Sequence, residues 1–223
     1  MTHLKRINAP RTWPIQRKAT KFVTKPNPGV HKLDEGMPLG VILREMLKLT
    51  STKRQTKIIL NAGNILVNNQ ARKDFGFSVG IMDSISILPL NKHYRMLHNK
   101  LGKLSLAEIS KDESEEKTYK IIGKKILKKN KLQLNLYGGK NILTPKGDYH
   151  VGGSVVIKDN KIMKYLKLEK GAEIYLIGGK HAGSKATLSD IKKFIGPTKD
   201  AITFKLNNKS YETLADYAYV IEK

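Results

Sequence analysis

Apolar positions along residues 38–73 change period twice, and each change marks an element. Leu39, Ile42, Leu43, Met46 and Leu47 repeat at i, i+3, i+4, i+7 and i+8, which predicts a helix over 38–49 with one apolar face. Pro38 suits its first turn. Thr52 with Gln55 three residues on predicts an N-cap and capping box for a second helix running to Ala62. Ile58, Ile59 and Ala62 are expected on its inner face, and Gly63 supplies the left-handed stop. Asn68-Asn69, between Ile65-Leu66-Val67 and Gln70-Ala71-Arg72, predicts a tight hairpin turn because Asn tolerates positive φ.

Beyond this module the period shortens to two. Val79, Ile81, Ile85, Ile87 and Leu88 predict a strand, with Gly80 and Asp83 in turns, and short strands are expected near 94–97 and 104–109. Leu132, Leu134 and Leu136 alternate with polar residues, and Gly138-Gly139 closes that strand. Further strands are expected at 154–157, 173–177, 185–188, 202–206 and 211–214, with Asn207-Asn208 as a second hairpin turn. Residues 108–116 carry Glu108, Asp112, Glu113, Glu115 and Glu116 and are expected to be an exposed loop. Lys117, Lys120, Lys124, Lys125, Lys128, Lys129 and Lys131 follow with no acid among them. Residues 1–37 lack any period and hold four prolines and eight cations. They are expected to be an extended arm ordered only against a partner, with Trp13 and Phe22 available to stack on bases or fill pockets.

Composition narrows the partners more than the fold. Against 42 Lys and Arg stand 19 Asp and Glu, a formal net charge of +23 on 223 residues. Charge of this size points to a polyanion. There is no cysteine, hence no disulfide or thiolate site. No apolar run reaches the roughly 18 residues of a membrane span, and the first residues lack the apolar stretch of a secretory signal. Histidines show no metal spacing, and neither a Gly-x-Ser-x-Gly elbow nor a dinucleotide-binding glycine pattern is present. The spacing of Gly178 and Gly183 fits a P-loop, but Ser184-Lys185 stand in the wrong order and a strand is expected next, so that reading fails.

Three clusters carry the candidate chemistry. On a wheel of 3.6 residues per turn, Lys53, Arg54 and Lys57 span about 100° of the second helix, and Arg72 and Lys73 leave the hairpin nearby. Fixed on a rigid scaffold, such cations can match the phosphate spacing of a folded RNA. The tract 170–185 reads as strand, glycine-rich turn and strand. Gly178, Gly179 and Gly183 there permit positive φ and close approach, and Lys180, His181 and Lys185 are offered to a phosphate-rich partner. Tyr137, Lys140 and Asn141 sit on a turn that either touches RNA or is ordinary turn chemistry.

Taken together, these residues resemble a known family. Residues 38–88 resemble the small RNA-binding module of a primary-binding ribosomal protein, and 171–188 resemble the KOW motif. His3-Leu4-Lys5-Arg6, Ala9-Pro10, Trp13, His31-Lys32-Leu33, the run 80–87, Leu134-Asn135-Leu136 and the run 178–183 together resemble the archaeal and eukaryotic S-four-e ribosomal protein family. The short start resembles archaeal members. The resemblance implies an α+β, β-rich, multi-domain chain. Its expected parts are an extended basic arm (1–37), a helical RNA-binding module with flanking strands (38–106), a central β domain (107–168) and a KOW/SH3-like barrel (169–223). It implies a non-enzymatic, cofactor-free protein of the cytoplasmic ribosome, with small-subunit rRNA and neighbouring ribosomal proteins as partners and no homo-oligomer, membrane or small-molecule substrate. Lys5, Arg6, Arg11, Arg17, Lys18 and Lys32 in the arm join the three clusters as expected RNA contacts. A KOW-containing elongation factor is the alternative, and would need a polymerase-binding domain. An accessory to an RNA-modifying enzyme would need a catalytic domain for which the chain has no room.

Overall fold

Antiparallel strand pairing is the main regular structure of this chain. The computed structural model describes residues 3–128, 131–145, 147–158, 161–194, 196, 198–207 and 209–221. They form two compact units, one of residues 1–99 and 103–117, the other of 100–102 and 118–223.

In the first unit, strands β1 (Leu4–Lys5) and β2 (Phe22–Val23) pair, as do β3 (Gly36–Pro38) and β6 (Ser78–Gly80). A five-stranded sheet has the order β5 (Gln70–Ala71), β4 (Ile65–Val67), β7 (Ser84–Ile87), β8 (Lys92–His98), β9 (Leu104–Ile109). Asn68 and Asn69 take φ of 51° and 62° between β4 and β5, the two left-handed residues that a tight hairpin needs. Helix α1 starts at Leu39–Val41 and widens into a π-turn over Ile42–Met46, where Leu47 N–H reaches the Ile42 carbonyl. It stops short of the expected Leu49, because Lys48 turns left-handed at φ 53°. Helix α2 spans Lys53–Asn61 with the expected capping box, and Gly63 stops the chain at φ 76°. Leu39, Ile42, Leu43, Leu60, Ile65, Ile85, Met96 and Leu104 are buried together with Trp13 and Met37.

Two expectations fail here. Residues 3–37 do not wait for a partner to become ordered. Trp13 is 1% exposed and its indole N–H donates to the Gly36 carbonyl at 2.9 Å, so the ring fills a pocket in the unit's own core. An indole buried this fully is worth several kcal/mol, about 3–5 on truncation to Ala, and contributes one part of what offsets the ordering entropy of the segment. The acidic stretch is also not a loop. Ser110 caps a short helix, α3 (Lys111–Glu115), by accepting from Glu113 N–H while the Glu113 carboxylate accepts from Ser110 N–H. Two of its acids lie in the first turn, where the helix dipole favours them.

The second unit has two sheets. Strands β10 (Lys117–Ile126), β11 (Lys131–Leu136), β12 (Asn141–Pro145), β13 (Ser154–Lys158) and β14 (Lys161–Leu166) run in the order β12-β11-β10-β13-β14. One face buries Tyr119, Ile121, Leu132, Leu134, Leu136, Val155 and Ile157. Strands β15 (Glu173–Leu176), β16 (Lys185–Lys192), β17 (Ala201–Leu206), β18 (Lys209–Leu214) and β19 (Ala218–Val220) form the other sheet, in the order β18-β17-β16-β15-β19. It curls around Ile174, Leu176, Leu188, Ile202, Phe204 and Val220. Leu206 pairs with Lys209 across the turn expected at Asn207-Asn208; Asn207 has φ 50°, and Asn208 lies outside the described residues.

Candidate nucleic-acid interface

Helix α2 is built from its cap outward. Thr52 Oγ1 accepts from Gln55 N–H at 3.3 Å, and Gln55 Oε1 accepts from Thr52 N–H at 3.1 Å and from the Ser51 hydroxyl at 3.0 Å. This start fixes which side turns inward, and it is not the side that apolar residues alone suggest. Thr56 and Leu60 are the buried pair, whereas Ile58 is 62% exposed and Ala62 is exposed. The hydroxyl of Thr56 donates to the Thr52 carbonyl at 2.9 Å and meets that of Thr50 at 2.8 Å, so a residue counted as polar is buried without losing hydrogen bonds. Ile58 is thereby released to the surface beside the cations.

Lys53, Arg54 and Lys57 are all exposed on α2. Lys53 Nζ stands 5.4 Å from the centre of the Phe75 ring. Phe75 packs on Gly40 so closely that a Cβ there would fall 2.2 Å from the ring. Of the two hairpin cations, Lys73 is exposed. Arg72 is half-buried, its guanidinium 4.6 Å from the Phe77 ring centre and donating to Gln70 Oε1 at 2.6 Å. Lys48, Leu49, Ser51, Gln55, Ile58 and Ile59 line a shallow groove beside this helix. The surface thus joins fixed positive charge to an apolar strip, a combination that can hold phosphates and receive the flat face of a base.

The arm cations divide. Lys5, Arg11, Lys18 and Lys32 are exposed. Arg6 is 4% exposed: it forms a two-pronged ion pair with Glu45 and donates from Nε to the Gln16 carbonyl at 2.8 Å. The pairing pins the arm, and among the cations expected to contact RNA Arg6 is the most deeply buried. Arg17 is half-buried and donates to the carbonyls of Ile7, Ala9 and Pro10, at 2.8 to 3.0 Å.

Asp83 escaped the sequence reading, which placed it in a turn. It is 2% exposed and accepts from His31 Nε2 at 2.8 Å, Asn68 Nδ2 at 3.0 Å, Gly80 N–H at 2.8 Å and Lys117 Nζ. Burial alone would raise its carboxyl, but the Lys117 charge and the His31 hydrogen bond outweigh it and hold the group well below the usual carboxylate range. One carboxylate therefore ties the arm, the Asn68 hairpin turn and Lys117 together within the first unit. Gly80 makes room for this, since a Cβ there would fall 2.2 Å from the His31 ring.

In the second unit, Lys180 and Lys185 are exposed at the glycine-rich turn. Gly179 and Gly183 take φ of 79° and 83°, and Gly178 lies against Tyr217, where a Cβ would fall 2.6 Å from the ring. His181 is half-buried against Tyr211, with ring centres 4.3 Å apart, and against Phe204 at 5.8 Å. Lys140 is half-buried, its Nζ 5.5 Å from the Tyr119 ring centre. Lys120 is buried and donates to the carbonyls of Ala215 and Asp216, each at 2.9 Å; burial lowers it to about 8 despite the opposing charge of Asp216.

Known proteins resemble this chain over nearly its whole length. Residues 90–162 match the ribosomal family S4e, and residues 2–34 match the RS4NT domain. The small ribosomal subunit protein eS4 of Methanosphaera stadtmanae is 39% identical over 221 residues, covering 98% of this chain and 91% of that protein. Its counterpart in Methanocella arvoryzae is 36% identical, covering 99% and 94%. Among solved structures, the 30S ribosomal protein S4e of Thermoplasma acidophilum superposes with a TM-score of 0.74 at 28% identity, covering 84% of this chain and 95% of that one.

Proposed function

Because the chain belongs to the S4e family of ribosomal proteins, we propose that it is a structural constituent of the small ribosomal subunit. It works on cytoplasmic ribosomes, binding small-subunit rRNA through its basic surfaces beside neighbouring ribosomal proteins. The observation that carries this is the α2 face. Lys53, Arg54 and Lys57 are exposed on a helix whose start is fixed by a capping box and whose inner side is locked by Thr56 and Leu60. A backbone held this rigidly adds little ordering cost to that of the long side chains themselves on docking, and phosphate contacts of this kind position the protein on the RNA. Lys5, Arg11, Lys18 and Lys32 extend the basic surface along the arm, and Arg72 and Lys73 extend it from the hairpin. Lys140, Lys180, His181 and Lys185 serve as contacts of the second unit, whose curled sheet is the expected KOW/SH3-like element.

Binding of the full chain to small-subunit rRNA at stepped salt tests this. The expected result is an affinity that falls linearly on a log–log plot, because each phosphate neutralised releases counterions. Changing Lys53, Arg54 and Lys57 together to Ala should leave the melting curve intact and flatten that slope by roughly one for each phosphate no longer neutralised. A folded triple variant with unchanged affinity and slope removes the α2 face from the interface.

A further inference from the structure

The lysine run at 117–131 is split by the fold into two roles. Lys117 and Lys120 turn inward, to Asp83 and to the carbonyls of Ala215 and Asp216. Lys125, Lys128 and Lys131 are exposed on the distal half of the β10–β11 hairpin, and among the described residues no ion pair holds them. No acid occurs in sequence between Glu116 and Asp148.

Strand register assembles Lys125 and Lys131 with other groups on one face, and Lys128 lies in the connection between their strands. Lys125 pairs with Gln133, which pairs with Leu143; Gly123 pairs with Asn135, which pairs with Asn141; Lys131 pairs with Pro145. Directly opposed residues share a face, and that face repeats every second residue. These rows therefore lie together, on the side opposite the buried Leu132, Leu134 and Leu136. Gln133 Nε2 donates to Asn135 Oδ1 at 2.9 Å, which sets the two amides in a row, and Leu143 is 60% exposed beside them.

We propose that this face of β10–β11–β12 is a second docking surface, for the sugar–phosphate backbone of folded RNA. The proposal rests on the reading of the chain as an RNA-binding protein. The lysines supply phosphate contacts. The amides of Gln133, Asn135 and Asn141 offer both donors and acceptors, which suits ribose 2′-hydroxyls and base edges along a shallow groove. Leu143 supplies apolar surface to a sugar. An acidic protein segment would also meet the lysines, and RNA is favoured because its phosphates and ribose hydroxyls alternate along one backbone, as the lysines and amides do on this face.

The test uses the full chain as wild type, as a Lys125→Ala, Lys128→Ala, Lys131→Ala variant, and with the same three positions changed to Arg. Each is melted, then titrated with small-subunit rRNA at stepped salt and, in parallel, with polyglutamate. The Ala variant should melt as wild type does, bind rRNA more weakly, and show a slope shallower by roughly one for every phosphate left without its lysine. The Arg variant should keep the wild-type slope. An Ala variant with wild-type affinity and slope overturns this surface while leaving the proposed function standing; a wild type that ignores rRNA overturns both. Loss of polyglutamate binding with full retention of rRNA binding overturns it in favour of an acidic protein partner.

Discussion

At the scale of single residues, Asp83 shows how a buried charge becomes structural. Its four donors come from four stretches of chain, at positions 31, 68, 80 and 117. Removing one partner of such a group leaves the others buried and unmet, which typically costs about 3–5 kcal/mol. Asp83→Ala should therefore lower stability by that order in urea denaturation. The pH dependence has a definite sign. The folded carboxyl is held below its unfolded value of about 3.9, so its contribution is complete above that value and is lost as pH falls through the depressed one. The stability gap between wild type and Asp83→Asn should stay constant at neutral and mildly acidic pH and close only below pH ~4. A gap that closed near pH 6 would show that another group governs the transition. Lys120 runs the other way: with the folded group at about 8, the unfolded chain binds more protons above that pH, and stability gains from alkali up to the ordinary lysine range.

At the scale of elements, the cap and the hairpin turn decide geometry more than apolar content does. The α2 capping box closes orphan donors at the helix start, and Thr52→Ala should cost about 1 kcal/mol in thermal or urea unfolding. Because the same helix start aims Lys53, Arg54 and Lys57, the variant should also bind rRNA more weakly with an unchanged salt slope, since no cation is removed. That separates loss of aim from loss of charge. The Asn68-Asn69 turn was legible from sequence because few residues accept two consecutive positive φ values. The inner face of α2 was not. Ile58, Ile59 and Ala62 form the apolar arc on a wheel, yet Thr56 and Leu60 are the buried pair. A hydropathy pattern cannot register that a threonine hydroxyl will find two oxygen partners and so behave as an apolar neighbour. Helix α3 was missed for a related reason: its acids read as a solvated loop, although Ser110 and Glu113 are spaced as a capping box.

For the molecule as a whole, a net charge of +23 makes two opposite demands. The free chain repels itself, while the bound chain is stabilised by the same charge. Raising salt from about 0.01 to about 0.15 M shortens the screening length from roughly 30 to 8 Å. It should raise the melting temperature of the free protein while weakening its complex with rRNA. A melting temperature that falls over that range would mean that attractive ion pairs, not repulsion, dominate the free fold. The fold answers the internal repulsion locally, by giving buried cations such as Arg6, Lys117 and Lys120 specific acceptors and exposing others such as Lys53, Arg54 and Lys57 to water.

Periodicity, turn residues and charge belong to short stretches of chain, and these alone pointed to many of the strands, though not to β10, β12 or β14, and to the capped helix, the two asparagine hairpins and a polyanion as the expected partner. Which cations face outward is a property of distant pairing, and only tertiary structure could decide it. Arg6 is held by Glu45, 39 residues away, and Lys120 by carbonyls 95 and 96 residues away. The ordering of residues 3–37 follows the same logic: one indole and one histidine find their pocket and their carboxylate in segments that no local pattern connects to them.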